Sequence, residues 1–157
     1  MSKTFFSKRT LLCLAAYGFL LNVIWEFAQA GPLYDMWDEV TLAAGLFHIT
    51  LAIIGDVLMV LLISVLTGWI CGFKKLRSLL PAAGGCMITV GFISGLILEW
   101  SAKFMDWWTY SELMPTITLF GETVGVSPVM QMTLLPFFSM LLTVKSSSYI
   151  LNVPEYQ

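Results

Sequence analysis

Charge is scarce in this chain. Only 11% of its residues are Asp, Glu, Lys or Arg and 58% are apolar, whereas a soluble domain carries about a quarter charged residues. A water-soluble globule is therefore excluded. The net charge is −2, with no basic tail or basic amphipathic stripe, so nucleic acid is not expected as a partner. There is one histidine, His48, which excludes bis-histidine haem ligation. The three cysteines, Cys13, Cys71 and Cys86, form no C-x-x-C and no metal-type spacing, and read as small apolar filler. No G-x-S-x-G surrounds Ser94, Ser101, Ser127 or Ser139, and Gly84-Gly85 has the look of a packing or kink site rather than a phosphate loop. The di-iron pattern Glu-x-x-His is also missing. Glu26, His48, Asp56 and Glu99 have the chemistry to ligate a divalent ion, but without that pattern neither a metal nor a cofactor is expected.

Long apolar runs are what the sequence has. A membrane-crossing helix needs about 20 mostly apolar residues, and four segments qualify, roughly 10–30, 43–72, 81–105 and 127–144. The expected fold is all-α, a polytopic membrane protein built as one four-helix transmembrane bundle over residues 1–157. Short connections make sequence neighbours antiparallel neighbours in space. Lys3, Lys8, Arg9, Lys74, Lys75, Arg77 and Lys145 all fall on one side. By the positive-inside rule that side is the cytoplasm, giving an N-in/C-in arrangement, and the plasma (inner) membrane of a bacterium is the expected location. The cysteines then lie near the reducing side, which argues against disulfides. Trp37, Trp107, Trp108 and Tyr110 sit at the outer boundary, where amphipathic rings settle.

The first run has a second reading. Ala28-Gln29-Ala30 matches a signal-peptidase site preceded by a basic n-region. However, Leu11–Trp25 is at the upper end of the usual h-region length, and Trp25, Glu26 and Phe27 crowd the proposed site. The run is read as a permanent span, with cleavage after Ala30 as the alternative.

Ionisable groups inside a bilayer cost about 2.5–3.5 kcal/mol each on insertion scales, so they face a protein interior or water and mark function. At 100° per residue, Asn22, Glu26 and Gln29 share a stripe on the first span, with Ala15 and Gly18 further along it. His48, Ala52, Gly55 and Asp56 share one on the second. On the third, Gly91 and Gly95 form G-x-x-x-G, and Glu99 and Lys103 continue the ridge, spaced to pair at i, i+4. On the fourth, Gln131 lies a turn below Ser127, and Pro136 frees the carbonyl of Met132. By helix rise, Glu26, His48, Glu99 and Gln131 lie one to two turns below the outer boundary and Asp56 roughly 18 Å below it. These spacings predict a polar cup that opens outward with Asp56 at its floor.

Several carboxyl groups in low dielectric do not all ionise. Glu26, Asp56, Glu99 and His48 are therefore the expected catalytic residues, with Glu26 and Glu99 dividing acid and base roles and His48 titrating near neutral pH. Asn22, Trp25, Gln29, Lys103 and Gln131 are the expected substrate-binding residues. The string N-x-x-W-E, here Asn22, Trp25 and Glu26, resembles a motif in the membrane-bound terpene cyclases of fungal meroterpenoid pathways, which have more spans. The resemblance covers five residues, implies an acid role for Glu26 in acid-initiated cyclisation, and assigns no family. The expected function is a small membrane enzyme acting on a lipid-soluble small molecule, its other partner being the lipid bilayer. The alternatives are a proton- or cation-coupled transporter or channel subunit, and an assembly scaffold glued by the same polar residues. The segment 106–126 is expected to be a lid or re-entrant turn over the cup, or an interfacial loop.

Overall fold

Local signals set several of the helix ends. The computed structural model describes residues 6–35, 41–77, 81–119 and 121–151. Helix α1 (Lys8–Leu33) begins at Ser7, whose hydroxyl accepts the Thr10 N–H at 3.1 Å, supplying one of the partners a helix N-terminus lacks. Helix α2 (Leu42–Cys71) is capped in the same way by Thr41, which accepts from Ala44 at 3.3 Å. It ends at Gly72, whose φ of 87° suits glycine. A short α3 (Phe73–Arg77) follows, which the apolar pattern does not foretell. Helix α4 (Pro81–Phe104) opens on proline, whose missing N–H costs nothing at a first helical position. Helix α5 (Val126–Leu151) carries Pro136 inside it.

Four of these helices, over Lys8–Leu33, Leu42–Cys71, Pro81–Phe104 and Val126–Ser146, are long and apolar enough to cross a membrane. They match the four expected spans to within a few residues. Helices α2 and α5 each pack on all three of the other long helices, whereas α1 and α4 scarcely meet. The bundle is thus a rhomb in which α2 and α5 form the short diagonal. Leu14, Val60, Ile63, Met87, Met132 and Met140 fill one half of its interior. Ala30, Ile49 and Ile53 pack in the other half. The periphery stays apolar, with Leu51, Ile54, Leu58 and Ile97 among the exposed side chains.

The G-x-x-x-G ridge serves packing within one chain. A Cβ at Gly91 would run into the Met132 carbonyl oxygen, and one at Gly95 would lie 3.1 Å from the Val129 Cα. The carbonyl that Pro136 leaves without an intrahelical donor therefore rests against the bare backbone of Gly91. Close approach of this kind is what small residues permit between apolar helices.

The connection after α4 contains regular structure that the sequence pattern does not foretell. Strands β1 (Thr116–Leu119) and β2 (Glu122–Gly125) form an antiparallel hairpin turning at Gly121, φ 87°. Before it, Tyr110 bridges to Tyr34. The Ser111 N–H donates to the Leu33 carbonyl at 3.1 Å, and its hydroxyl donates to that of Pro32 at 2.6 Å. This connection is therefore stitched to the end of α1. Lys3, Trp37, Asp38 and Glu39 lie outside the described residues.

Candidate functional site

The stripe Asn22, Glu26 and Gln29 on α1 turns inward, and all three residues are buried. Opposite them, α5 presents Gln131 and, a turn earlier, Ser127. The Gln131 side-chain nitrogen donates to Glu26 Oε1 and Asp56 Oδ2, both at 2.8 Å, and to Asn22 Oδ1 at 3.0 Å. An amide has two protons to give, so three acceptors from α1 and α2 compete for them. Gln29 donates to Glu26 Oε1 at 2.8 Å and to Gln131 Oε1 at 3.0 Å. Its own oxygen accepts from Trp25 Nε1 at 3.0 Å and from Ser127 Oγ at 2.8 Å. The Asn22 amide donates to the Gly18 carbonyl at 2.9 Å. Three helices are joined through one glutamine side chain.

Glu26 and Asp56 also meet each other. Both carboxyl oxygens lie 2.8 Å from the same nitrogen, so they are within about twice that distance of each other. Asp56 is therefore not a separate floor beneath Glu26. The depth arithmetic set the outer ends of the helices level. Asp56 is fourteen residues from the start of α2 and Glu26 seven from the end of α1. With the two side by side, α2 projects about 10 Å further on this side, at 1.5 Å rise per residue.

Glu99 belongs to a second centre. Its Oε2 accepts the hydroxyl proton of Tyr110 and, at 2.9 Å, the backbone N–H of Gly125. Its Oε1 is buried with no hydrogen-bond partner among the described residues, and the residue is 0% exposed. Gly125 is closely enclosed, since a Cβ would sit 3.2 Å from Glu99 Oε2, from the Tyr110 ring and from Pro128. Tyr34 bridges the two centres: its phenol interacts electrostatically with Glu26, Asp56, Glu99 and Tyr110. Its ring lies 6.0 Å from that of Tyr110 and 6.3 Å from that of Trp108. Burial, then Glu99 and the other acids, push the Tyr34 hydroxyl well above the ordinary tyrosine range. Burial and Glu99 push Tyr110 up to about 12.

Two expected site residues stand apart. His48 is exposed, while its neighbour Ile49 is buried against α1. The inward stripe of α2 runs Gly45, Ile49, Ile53 and Val60, with Asp56 beside it, so His48, Ala52 and Gly55 face outward. In a helix that is apolar all round no hydrophobic stripe sets the rotation, and the small residues near His48 suggested the wrong phase. Lys103 is exposed as well. Lys103 acts on Glu99 electrostatically, one turn away, while the hydrogen-bond partners of Glu99 are Tyr110 and Gly125.

The polar residues form a closed network rather than an open cup. Glu26 is 7% exposed, Gln29 5% and Gln131 2%. Tyr34, Tyr110 and Gly125 complete the site without having been singled out for it. A tyrosine at a span end reads as an interfacial anchor, and a backbone donor leaves no mark in a sequence. Comparison of the chain with protein-family models, with curated proteins and with solved structures finds no match.

Proposed function

We propose that this chain is a small integral-membrane enzyme whose buried carboxyl groups carry out acid–base chemistry on a lipid-soluble substrate. The observation behind this reading is the Glu26–Asp56 pair, drawn from two helices onto the single amide of Gln131. Two carboxyl groups this close in a water-poor interior do not both ionise. One then holds a proton to give while the other can take one, the division that general acid–base catalysis uses. Asn22, Gln29 and Gln131 hold the pair in place, and Trp25 holds Gln29. Glu99, with Tyr110 as its donor, supplies a second acid group. His48 has no part in this chemistry, because it does not reach the network, and Lys103 acts on Glu99 only electrostatically. Substrate enters when the stitched connection from Tyr110 to Gly125 lifts from the end of α1.

Supported by the seven of eight Lys and Arg that fall on one side, we place both termini in the cytoplasm and the chain in a bacterial plasma membrane. The test compares the lipid extracts of cells carrying the protein, lacking it, or carrying Glu26→Gln or Asp56→Asn, after size-exclusion profiles show that the variants fold. A compound that accumulates or disappears with the wild type only supports the enzyme. Identical extracts in all strains rule it out. The same carboxyl pair also suits a proton-coupled transporter. That reading predicts proton-dependent flux in proteoliposomes that Asp56→Asn abolishes.

A further inference from the structure

Away from the buried network, a cavity of about 660 Å³ opens beside the end of α4, lined by Trp100, Lys103, Phe104 and Glu122. Its size falls within the roughly 300–1,000 Å³ of small-ligand sites. Lys103 comes from the last turn of α4, and Glu122 from the first residue of β2. Opposite charges that share a cavity would be expected to pair across it. These two form no ion pair with each other among the described residues. The space between them suits a ligand that carries both an anion and a cation. Below the cavity α4 exposes Ile93 (51%) and Ile97 (56%), and at its rim Phe104 (89%). An exposed apolar track that leads from a charged pocket down a helix of membrane-crossing length matches an acyl chain below a headgroup.

We propose that this cavity binds the headgroup of a zwitterionic phospholipid with a primary ammonium. Lys103 contacts the phosphate, Glu122 the ammonium, and Trp100 closes the wall at the level where indole rings settle. An anionic headgroup without an ammonium meets Lys103 but is repelled by Glu122, so the pair selects as well as binds. Lys103 also acts electrostatically on Glu99 one turn earlier, but the lipid assignment does not rest on the proposed acid–base chemistry.

Native mass spectrometry of the purified full chain, with phosphatidylethanolamine and phosphatidylglycerol of equal chain length supplied together, tests the assignment. The wild type should retain phosphatidylethanolamine in preference. Lys103→Gln should lower its retention about two- to fivefold, the range that one exposed charge contact supports. Glu122→Gln should remove the preference by admitting phosphatidylglycerol. Soluble phosphoethanolamine should give no retained adduct, since the apolar track is then unused. Equal retention of the two lipids by the wild type would overturn the proposal. So would an unchanged preference in both variants, each with an unaltered melting temperature. Both side chains are exposed, so these substitutions leave the fold intact.

Discussion

Gln131 donates to three acceptors on two other helices and accepts from a fourth side chain. Its replacement therefore strands several buried polar groups at once. A stranded buried group costs about 1–3 kcal/mol, more when it is charged. Gln131→Leu is therefore expected to destabilise the bundle by at least that much, read as a fall in melting temperature in detergent. Asn22→Ala, which removes an acceptor and leaves Gln131 two others, should cost less. Equal melting temperatures for the two variants would show that Gln131 is not the hub. Tyr110 offers a test with a pH signature. Its hydroxyl is pushed up to about 12 by burial and by Glu99, whereas an exposed tyrosine ionises near 10. The folded state keeps the proton where the unfolded chain has lost it. The stabilisation is complete below about pH 10 and is lost as the pH rises toward 12. Tyr110→Phe should show a shallower decline, the remainder coming from Tyr34, whose hydroxyl is pushed up as well, and should also cost about 1–3 kcal/mol at neutral pH, because Glu99 loses a donor. Denaturant melts at several pH values, together with a tyrosinate absorbance titration, check both expectations.

At the scale of elements, contact between α4 and α5 decides where Glu99 stands. Gly91 and Gly95 lie against the α5 backbone, and Glu99 follows one turn beyond Gly95 on the same ridge. Gly91→Ala forces a methyl group toward the Met132 carbonyl, which cannot yield like a side chain, and overpacking of this kind costs about 1–3 kcal/mol. Gly55→Ala is the control. It meets nothing within 4 Å, and alanine is favoured over glycine in a helix interior by about 0.8–1.0 kcal/mol. Thermal melts should place Gly91→Ala below the wild type and Gly55→Ala at or above it. A Gly91→Ala protein as stable as the wild type would show that the helices have room between them. The ridge was legible as G-x-x-x-G. Its partner was not, because small-residue motifs look the same whether they meet a helix of the same chain or a second copy.

At the scale of the whole molecule, the closed network makes a prediction about access. In intact cells, cysteines placed at Glu26 or Glu99 should resist a membrane-impermeant thiol reagent, while one at Glu122, on the exposed hairpin, should react. The native cysteines are replaced first so that each probe is the sole thiol. Reporter fusions at either terminus should be active only in the cytoplasmic form if the orientation inferred from the basic residues holds. Labelling of the Glu26 and Glu99 positions as fast as Glu122 would show an open cup.

Composition and run length determined by themselves that the chain folds into four helices long and apolar enough to cross a membrane, because that requirement is one of length and polarity alone. The spacing of Asn22, Glu26 and Gln29 also determined that they share a face, since helix periodicity is local. Tertiary structure decided which helix each face meets. It brought Asp56 level with Glu26 by offsetting α2, left His48 outside by rotating α2 one residue away from the expected phase, and gave Glu99 the hydrogen-bond partners Tyr110 and Gly125. A lipid-facing surface and a bundle core are equally apolar, so hydrophobicity does not orient a membrane helix. Only packing against Gly18, Gly91 and Gly95, and the reach of the connection between α4 and α5, settle its rotation and depth.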